Sequence, residues 1–148
     1  MDVKDGGRAS ERLVTLLVQL NKAIHKRSSE EMLGMSLKSY MALGYIRDHP
    51  GATQQELERA LFMDANSVVL MLNELEARQF SIRRRDPQDR RRHILEMTAA
   101  GTRALERADK EREGLEDDIL AGMSADERKS FRKLIERALE NLYSEART

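Results

Sequence analysis

The chain contains no cysteine. That excludes a disulfide framework, a thiolate zinc site and any chemistry on a nucleophilic or redox-active thiol. It also lacks tryptophan, and aromatic residues make up only 4% of its 148 positions. Two prolines and eight glycines leave long stretches unbroken, and 35% of residues are charged, a mix that points to a helix-rich soluble protein. No run of 18 apolar residues occurs, and no charged-then-apolar leader opens the chain, so neither a membrane span nor a signal peptide is expected. Residues 1–148 are enough for a single domain and too few for two ordinary ones. A cytoplasmic location fits these features. An excess of one charge is missing as well, because 26 basic side chains balance 26 acidic ones. Global charge therefore announces no nucleic-acid partner, and the placement of charge must carry that argument.

Enzyme signatures are absent too. There is no G-x-S-x-G, no glycine-rich phosphate loop and no H-E-x-x-H. His25, His49 and His93 stand far apart and lack metal-ligand spacing with carboxylates. No metal and no cofactor is expected.

Helical periodicity is what the chain does have. Leu13, Leu16, Leu17, Leu20 and Ile24 recur at i, i+3, i+4, i+7 and i+11, and Val14 and Val18 widen that stripe. Gly34 breaks the helix. Ser36 can cap a second one carrying Leu37, Tyr40, Met41, Leu43 and Ile46, which Pro50-Gly51 ends. Thr53 and Glu56 form a capping box for a short third helix with Leu57, Ala60 and Leu61 on its apolar face. After a turn at Phe62-Met63, Asp64 can cap a fourth helix with Val68, Leu72 and Leu75 facing inward. Two short helices about three residues apart have helix-turn-helix spacing.

The pattern then changes period. Phe80-Ser81-Ile82 reads as a short strand, Asp86-Pro87-Gln88-Asp89 as a turn, and His93 to Met97 as the returning strand. A β-hairpin directly behind a helix-turn-helix makes a winged helix, here residues 36–98. Thr98 can cap a fifth helix reaching about Ala121. Ser124 and Glu127 form a capping box for the last helix, striped by Phe131, Leu134, Ile135, Ala138, Leu139 and Leu142. The expected class is mainly α with a small β-hairpin wing. Terminal helices over residues 8–33 and 99–145 flank the winged helix-turn-helix.

Charge is concentrated in that hairpin. Between Arg83 and His93 stand six arginines and two aspartates. Such a cluster repels itself without an anionic partner, and duplex DNA supplies one phosphate after another. Arginines at a narrow tip also suit a narrow minor groove. A solvated loop with internal Arg–Asp pairs is the plainer reading, but the preceding helix-turn-helix favours DNA. The outer face of the fourth helix offers Ala65, Asn66, Ser67, Val69 and Leu70, with Asn73 a turn later. Asparagine can bond adenine in bidentate fashion, and apolar side chains can touch thymine methyls. Asn66 and Ser67 can instead simply help to cap the helix. Val69 and Leu70 point outward, which indicates a covered face. They also sustain the alternative of a winged helix that binds a protein partner and not DNA.

The stretch Arg85-Asp86-Pro87-Gln88-Asp89-Arg90-Arg91, followed by Met97-Thr98-Ala99-Ala100-Gly101, resembles the wing signature of the MarR family (multiple antibiotic resistance regulator). The order of elements over residues 8–145 is also similar. The resemblance implies a homodimer whose N- and C-terminal helices interlock, with recognition helices in successive major grooves of a pseudo-palindromic operator. It places the wing-tip arginine on Arg91, steadied by Asp89, with Arg84, Arg85, Arg90 and Arg92 around it. It implies a transcription regulator, by default a repressor, released by a small aromatic acid or phenolic ligand. The family's pocket lies between dimer helices and winged helix, near which stand His25, Met32, Met35, Tyr40, Met41 and Arg47. Methionines at helical spacing are more commonly core filler. The lack of Cys and Trp argues against the peroxide-sensing and urate-responsive branches. Where Val69 and Leu70 stand, the family usually carries Thr and Arg, so the operator cannot be inferred from relatives. It often has Gly in place of Phe62 and Gln79, which implies positive φ at both.

Overall fold

The computed structural model describes residues 12–147. The expected disordered start, residues 1–7, lies outside them. Among the described residues, seven helices and one hairpin follow in order. These are α1 (Leu13–Arg27), α2 (Glu30–Leu33), α3 (Leu37–Asp48), α4 (Gln54–Leu61), α5 (Ala65–Ala77), β1 (Ser81–Arg85), β2 (His93–Met97), α6 (Ala99–Ile119) and α7 (Ala125–Arg147).

The capping chemistry read from the sequence sets the boundaries. Side chains of Ser36, Thr53, Asp64 and Thr98 accept the backbone N–H three residues ahead at the starts of α3, α4, α5 and α6. Before α7 the box is reciprocal: Glu127 N–H donates to Ser124 Oγ, and Ser124 N–H donates to Glu127. The short α2 was not foreseen. Its single turn starts on Ser29 and stops at Gly34, whose φ is 77°. One turn is too short to show a period. The fifth expected helix ends at Ile119, with Leu120 as its cap, slightly before Ala121.

The core sits where α3, α4, α5 and α6 meet β2. Leu43, Leu57, Val68, Leu72, Leu75, Leu95 and Leu105 are fully buried there. Each such side chain contributes roughly 1.5–3 kcal/mol through burial. Leu95 N–H donates to Ala52 O, and Thr53 bridges Ile94, so the loop before α4 pins the hairpin to the helices. Thr98 N–H and Oγ1 close the other side, on Phe80 O and Gln79 O.

The strand β1 differs from its expected extent. It begins at Ser81 and runs on to Arg85, paired antiparallel with β2 from Ser81↔Met97 to Arg85↔His93. Phe80 stays outside because its N–H closes the end of α5 on Leu75 O. Three of the six arginines therefore stand on a strand, where alternation decides which way each points.

The terminal helices bury little. No residue of α1 is buried, and Leu13, Val14, Leu16, Leu17 and Val18 are exposed. On α7, Leu134, Ile135 and Leu142 are exposed. The winged helix leaves both stripes uncovered. No helix of the described residues is long and apolar enough to cross a membrane.

Candidate nucleic-acid interface

The recognition helix α5 is held by its inner face, with Val68, Met71, Leu72 and Leu75 buried. Met71 belongs with these three, although it was not among the expected inward residues. Its place beside Leu72 and Leu75 on a wide apolar arc was legible. The outer face is free: Ala65, Asn66, Leu70 and Asn73 are exposed, while Ser67 and Val69 are half-buried. Leu70 is 62% exposed, a large apolar side chain standing in solvent beside two asparagines. At the start of the helix, Ser67 N–H donates to Asp64 at 2.6 Å. That bond holds the Asp64 carboxyl below the usual carboxylate range. Ser67 thus contributes its backbone to the cap, while Asn66 lies outside that bond.

The six arginines of the hairpin divide into two groups. Arg83, Arg84 and Arg92 have carboxylate partners that hold them in the fold. Arg83 Nε lies 2.5 Å from Glu76 on α5. Arg84 pairs with Glu96 across the strands. Arg92 pairs with Asp86 at 3.0 Å. Asp86 is buried and also accepts the Gln88 N–H at 2.9 Å. That bond first, and Arg92 second, hold its carboxyl below the ordinary range. Arg85, Arg90 and Arg91 are exposed at the tip. Among the described residues, the Arg85 side chain donates only to Arg90 O. The Arg91 side chain is 92% exposed and is touched by Asp89 at 3.2 Å. Asp89 also accepts the Arg91 N–H, so it orients the base of Arg91 and leaves the guanidinium facing outward. Two asparagines and a leucine are exposed on α5, and three exposed guanidinium groups stand at the tip of the wing that follows it.

A family model described as the MarR family matches residues 33–92. The chain is 34% identical over 104 residues to a Thauera aromatica protein named for regulation of the hcr operon. That match covers 70% of this chain and 63% of the relative, so the chain spans less than two thirds of it. It is 30% identical over 113 residues to the HTH-type transcriptional regulator YdgJ of Bacillus subtilis, covering 76% of this chain and 69% of YdgJ.

The chain belongs to the MarR family.

Solved structures agree over nearly the whole length. A crystal structure of MarR superposes with a TM-score of 0.80 at 29% identity, covering 93% of this chain and 95% of that one. The repressor CouR bound to a 23-mer DNA duplex gives 0.79 at 26% identity, over 90% and 96%. PcaV from Streptomyces coelicolor, in complex with its natural ligand, gives 0.76 at 26%, over 88% and 94%.

The positive φ that the MarR resemblance implied is present at both positions, 53° at Phe62 and 62° at Gln79. Phe62 ends α4 in the left-handed region, and Gln79 follows α5. The helix-turn-helix therefore keeps the family backbone without the family glycines.

The pocket residues expected of a MarR-family chain do not gather in one place. Tyr40, Met41 and Arg47 line a cavity of about 760 Å³ between α3, α4 and the end of α7. Met35 does not reach it, because it is 1% exposed and packed in the core as filler. His25 is exposed on α1 and Met32 lines smaller cavities elsewhere, so neither joins the Tyr40 site. Tyr45, Arg59 and Tyr143 are among the other lining residues and were not foreseen. Tyr143 donates to Ala60 O at 3.0 Å and stacks on Phe62 with ring centroids 5.1 Å apart. Its position, 83 residues from Ala60 in sequence, left no local signal.

Arg47 is not a free cation. It donates to Asp109 at 2.8 Å and to Asp48 at 3.1 Å. Tyr40 donates to the same Asp109 at 2.6 Å. Burial first, and this bond second, push the Tyr40 phenol well above its ordinary range, so it remains a donor. Around the cavity, Arg47 and Arg59 are matched by Asp48 and Glu56. An anionic ligand there must compete with Asp109 and Asp48 for Arg47.

Proposed function

We propose that this protein is a sequence-specific, DNA-binding transcription regulator. It acts as a homodimer that represses from a pseudo-palindromic operator and is released by a small ligand. The observation that carries the reading is the exposure of Asn66, Leu70 and Asn73 on α5 together with that of Arg85, Arg90 and Arg91 on the wing behind it. Polar forks and an apolar side chain read base edges, and exposed guanidinium groups take phosphate or a minor groove. The 26%-identical CouR, solved on a DNA duplex, supports this use of the fold.

The homodimer rests on the exposed stripes of α1 and α7, which a second copy would cover. Residues 8–33 and 99–145 are the dimerisation segments in this reading, and 36–98 the DNA-binding unit. The ligand reading rests on the cavity beside Tyr40, Met41 and Arg47, and on the ligand complex of PcaV. An aromatic acid fits if its carboxylate takes Arg47 from Asp109.

Binding of the purified protein to duplex DNA, titrated with salt, tests the central claim. The logarithm of the binding constant should fall with log salt by about 0.9 per neutralised phosphate. A flat response would favour the second reading, a winged helix for a protein partner, which the outward Leu70 sustains.

A further inference from the structure

We infer that Arg83 does not grip DNA but fixes the amide of Asn73 so that the recognition helix presents a donor there and only a weakened acceptor. This rests on the DNA-binding reading above.

The strand period comes first. Arg83 pairs with Leu95, which is 1% exposed, so both side chains stand on the hairpin face turned toward the helices. From that face the guanidinium reaches back over α5. Its Nε lies 2.5 Å from Glu76 Oε1, and its Nη2 lies 2.5 Å from Asn73 Oδ1 and 3.4 Å from Glu76 Oε2. Glu76 neutralises the charge, and the side chains of Arg83 and Glu76 are only 23% and 31% exposed. A guanidinium so placed is a poor phosphate ligand.

The chemistry of the pair decides the amide. Arginine carries five N–H donors and no acceptor. The Asn73 atom that faces it must therefore be the carbonyl oxygen. The Nδ2 group is then turned away from Arg83, on the exposed face that also carries Leu70 and Asn66. An unconstrained asparagine reads adenine with a donor and an acceptor together, at N7 and N6. Arg83 takes one of the two lone pairs of Asn73 Oδ1, and this bond to a charged donor weakens the oxygen as an acceptor for a base. Asn73 can donate to G O6 or N7, to A N7 or to T O4, and it offers the N4 amino group of cytosine only the weakened oxygen. Asn66 lies outside this clamp and keeps both functions. The two asparagines of one helix thus differ in what they read, because of a residue on the strand.

The test is selection of bound sequences from a pool of randomised duplexes, run side by side with four proteins. Asn73→Ala marks the position that Asn73 reads by flattening it. At that position the wild-type protein should select against cytosine and show no preference for adenine over guanine and thymine. Arg83→Met keeps the apolar stem and frees the amide, so the same position should move toward adenine by on the order of fivefold. Asn73→Asp keeps an oxygen for Arg83 and turns a second oxygen outward, so it should move the position toward cytosine. Because that variant retains the bond to Arg83, it carries the test even if Arg83→Met does not fold. A wild-type preference for adenine there would overturn the inference, as would profiles unchanged in Arg83→Met or in Asn73→Asp. No change in Asn73→Ala would overturn it as well. If the wild-type protein enriches no sequence at all, the DNA-binding reading itself fails, and that result is distinct from the others.

Discussion

Gly101, in the first turn of α6, packs directly on the backbone of Phe80, where the chain leaves the recognition helix. A Cβ on Gly101 would stand 2.1 Å from the Phe80 carbonyl oxygen and 2.9 Å from Met97 Cγ. The same oxygen accepts the Thr98 N–H at 3.0 Å. No flexible side chain can yield there, because the obstacle is main chain that already carries a structural hydrogen bond. Gly101→Ala is expected to destabilise the protein by about 2–3 kcal/mol, the upper part of the range for overpacking a tight site. A denaturant melt reads it as a lower midpoint with unchanged slope. An unchanged midpoint would mean that α6 can slide off the hairpin freely.

Gln79 stands at a φ of 62° with its side chain exposed. The left-handed region costs a residue with a Cβ about 1–2 kcal/mol. Glycine avoids that strain but loses more backbone freedom on folding, roughly 0.5–1 kcal/mol. Gln79→Gly is therefore expected to raise stability by about 0.5–1 kcal/mol, seen as a small rise in Tm. Phe62 makes a useful comparison. Its φ is 53°, but its ring stacks on Tyr143, so Phe62→Gly removes strain and a contact together. The gain at Phe62 should be smaller than at Gln79.

These two residues also show how far the sequence could be read. The caps at Ser36, Thr53, Asp64, Thr98 and Ser124 were legible because each is a local hydrogen bond between near neighbours. The inner face of α5 was legible from its period. Positive φ at Phe62 and Gln79 was legible only through the family resemblance. The roles of the six wing arginines were not legible from composition. Their partners Glu76, Glu96 and Asp86 depend on strand register, and a shift of one residue would exchange which arginines face in and which face out. The cavity was half legible. Tyr40, Met41 and Arg47 lie together on α3, but Tyr143 arrives by tertiary folding and Asp109 holds Arg47 from another helix. Met35 was misplaced because a buried methionine and a pocket methionine look alike in sequence.

Asp109 joins α6 to α3 by accepting from Tyr40 and Arg47. Burial pushes its carboxyl up. The hydrogen bonds from Tyr40 and Arg47, with the nearby charges of Arg47 and Arg112, outweigh burial and hold it below the usual range. A carboxyl depressed in the folded state stabilises the fold above its unfolded value of about 3.9, and that contribution fades as pH falls through the depressed value. Asp109→Asn should cost about 1–2 kcal/mol at neutral pH, in keeping with lost hydrogen bonds to a charged group. The difference from the unmodified protein should shrink below about pH 4, as its own carboxyl is protonated. Parallel stability curves for the two proteins across that range would show that Asp109 is not held as the geometry describes.

Asp86 and Arg91 separate charge from shape in the wing. Arg91 is an exposed cation at the tip, and Asp86 is a buried anion that organises the turn beneath it. Arg91→Ala should weaken binding to a selected duplex by about 1–3 kcal/mol and lower the salt slope by about 1. Asp86→Ala poses the sharper question, because it makes the protein more positive. If the wing gripped DNA by net charge alone, removing that carboxylate would tighten binding. The structure argues the opposite. Asp86 accepts from Gln88 N–H and Arg92, and its own N–H closes the turn on Arg92 O at 2.9 Å. Without its side chain Arg92 loses its closer carboxylate and keeps only Asp89 at 3.9 Å, and the turn that orients Arg90 and Arg91 loosens. Asp86→Ala should therefore weaken binding despite the gain of charge. Tighter binding in that variant would reduce the wing to a cloud of arginines and remove geometry from its function.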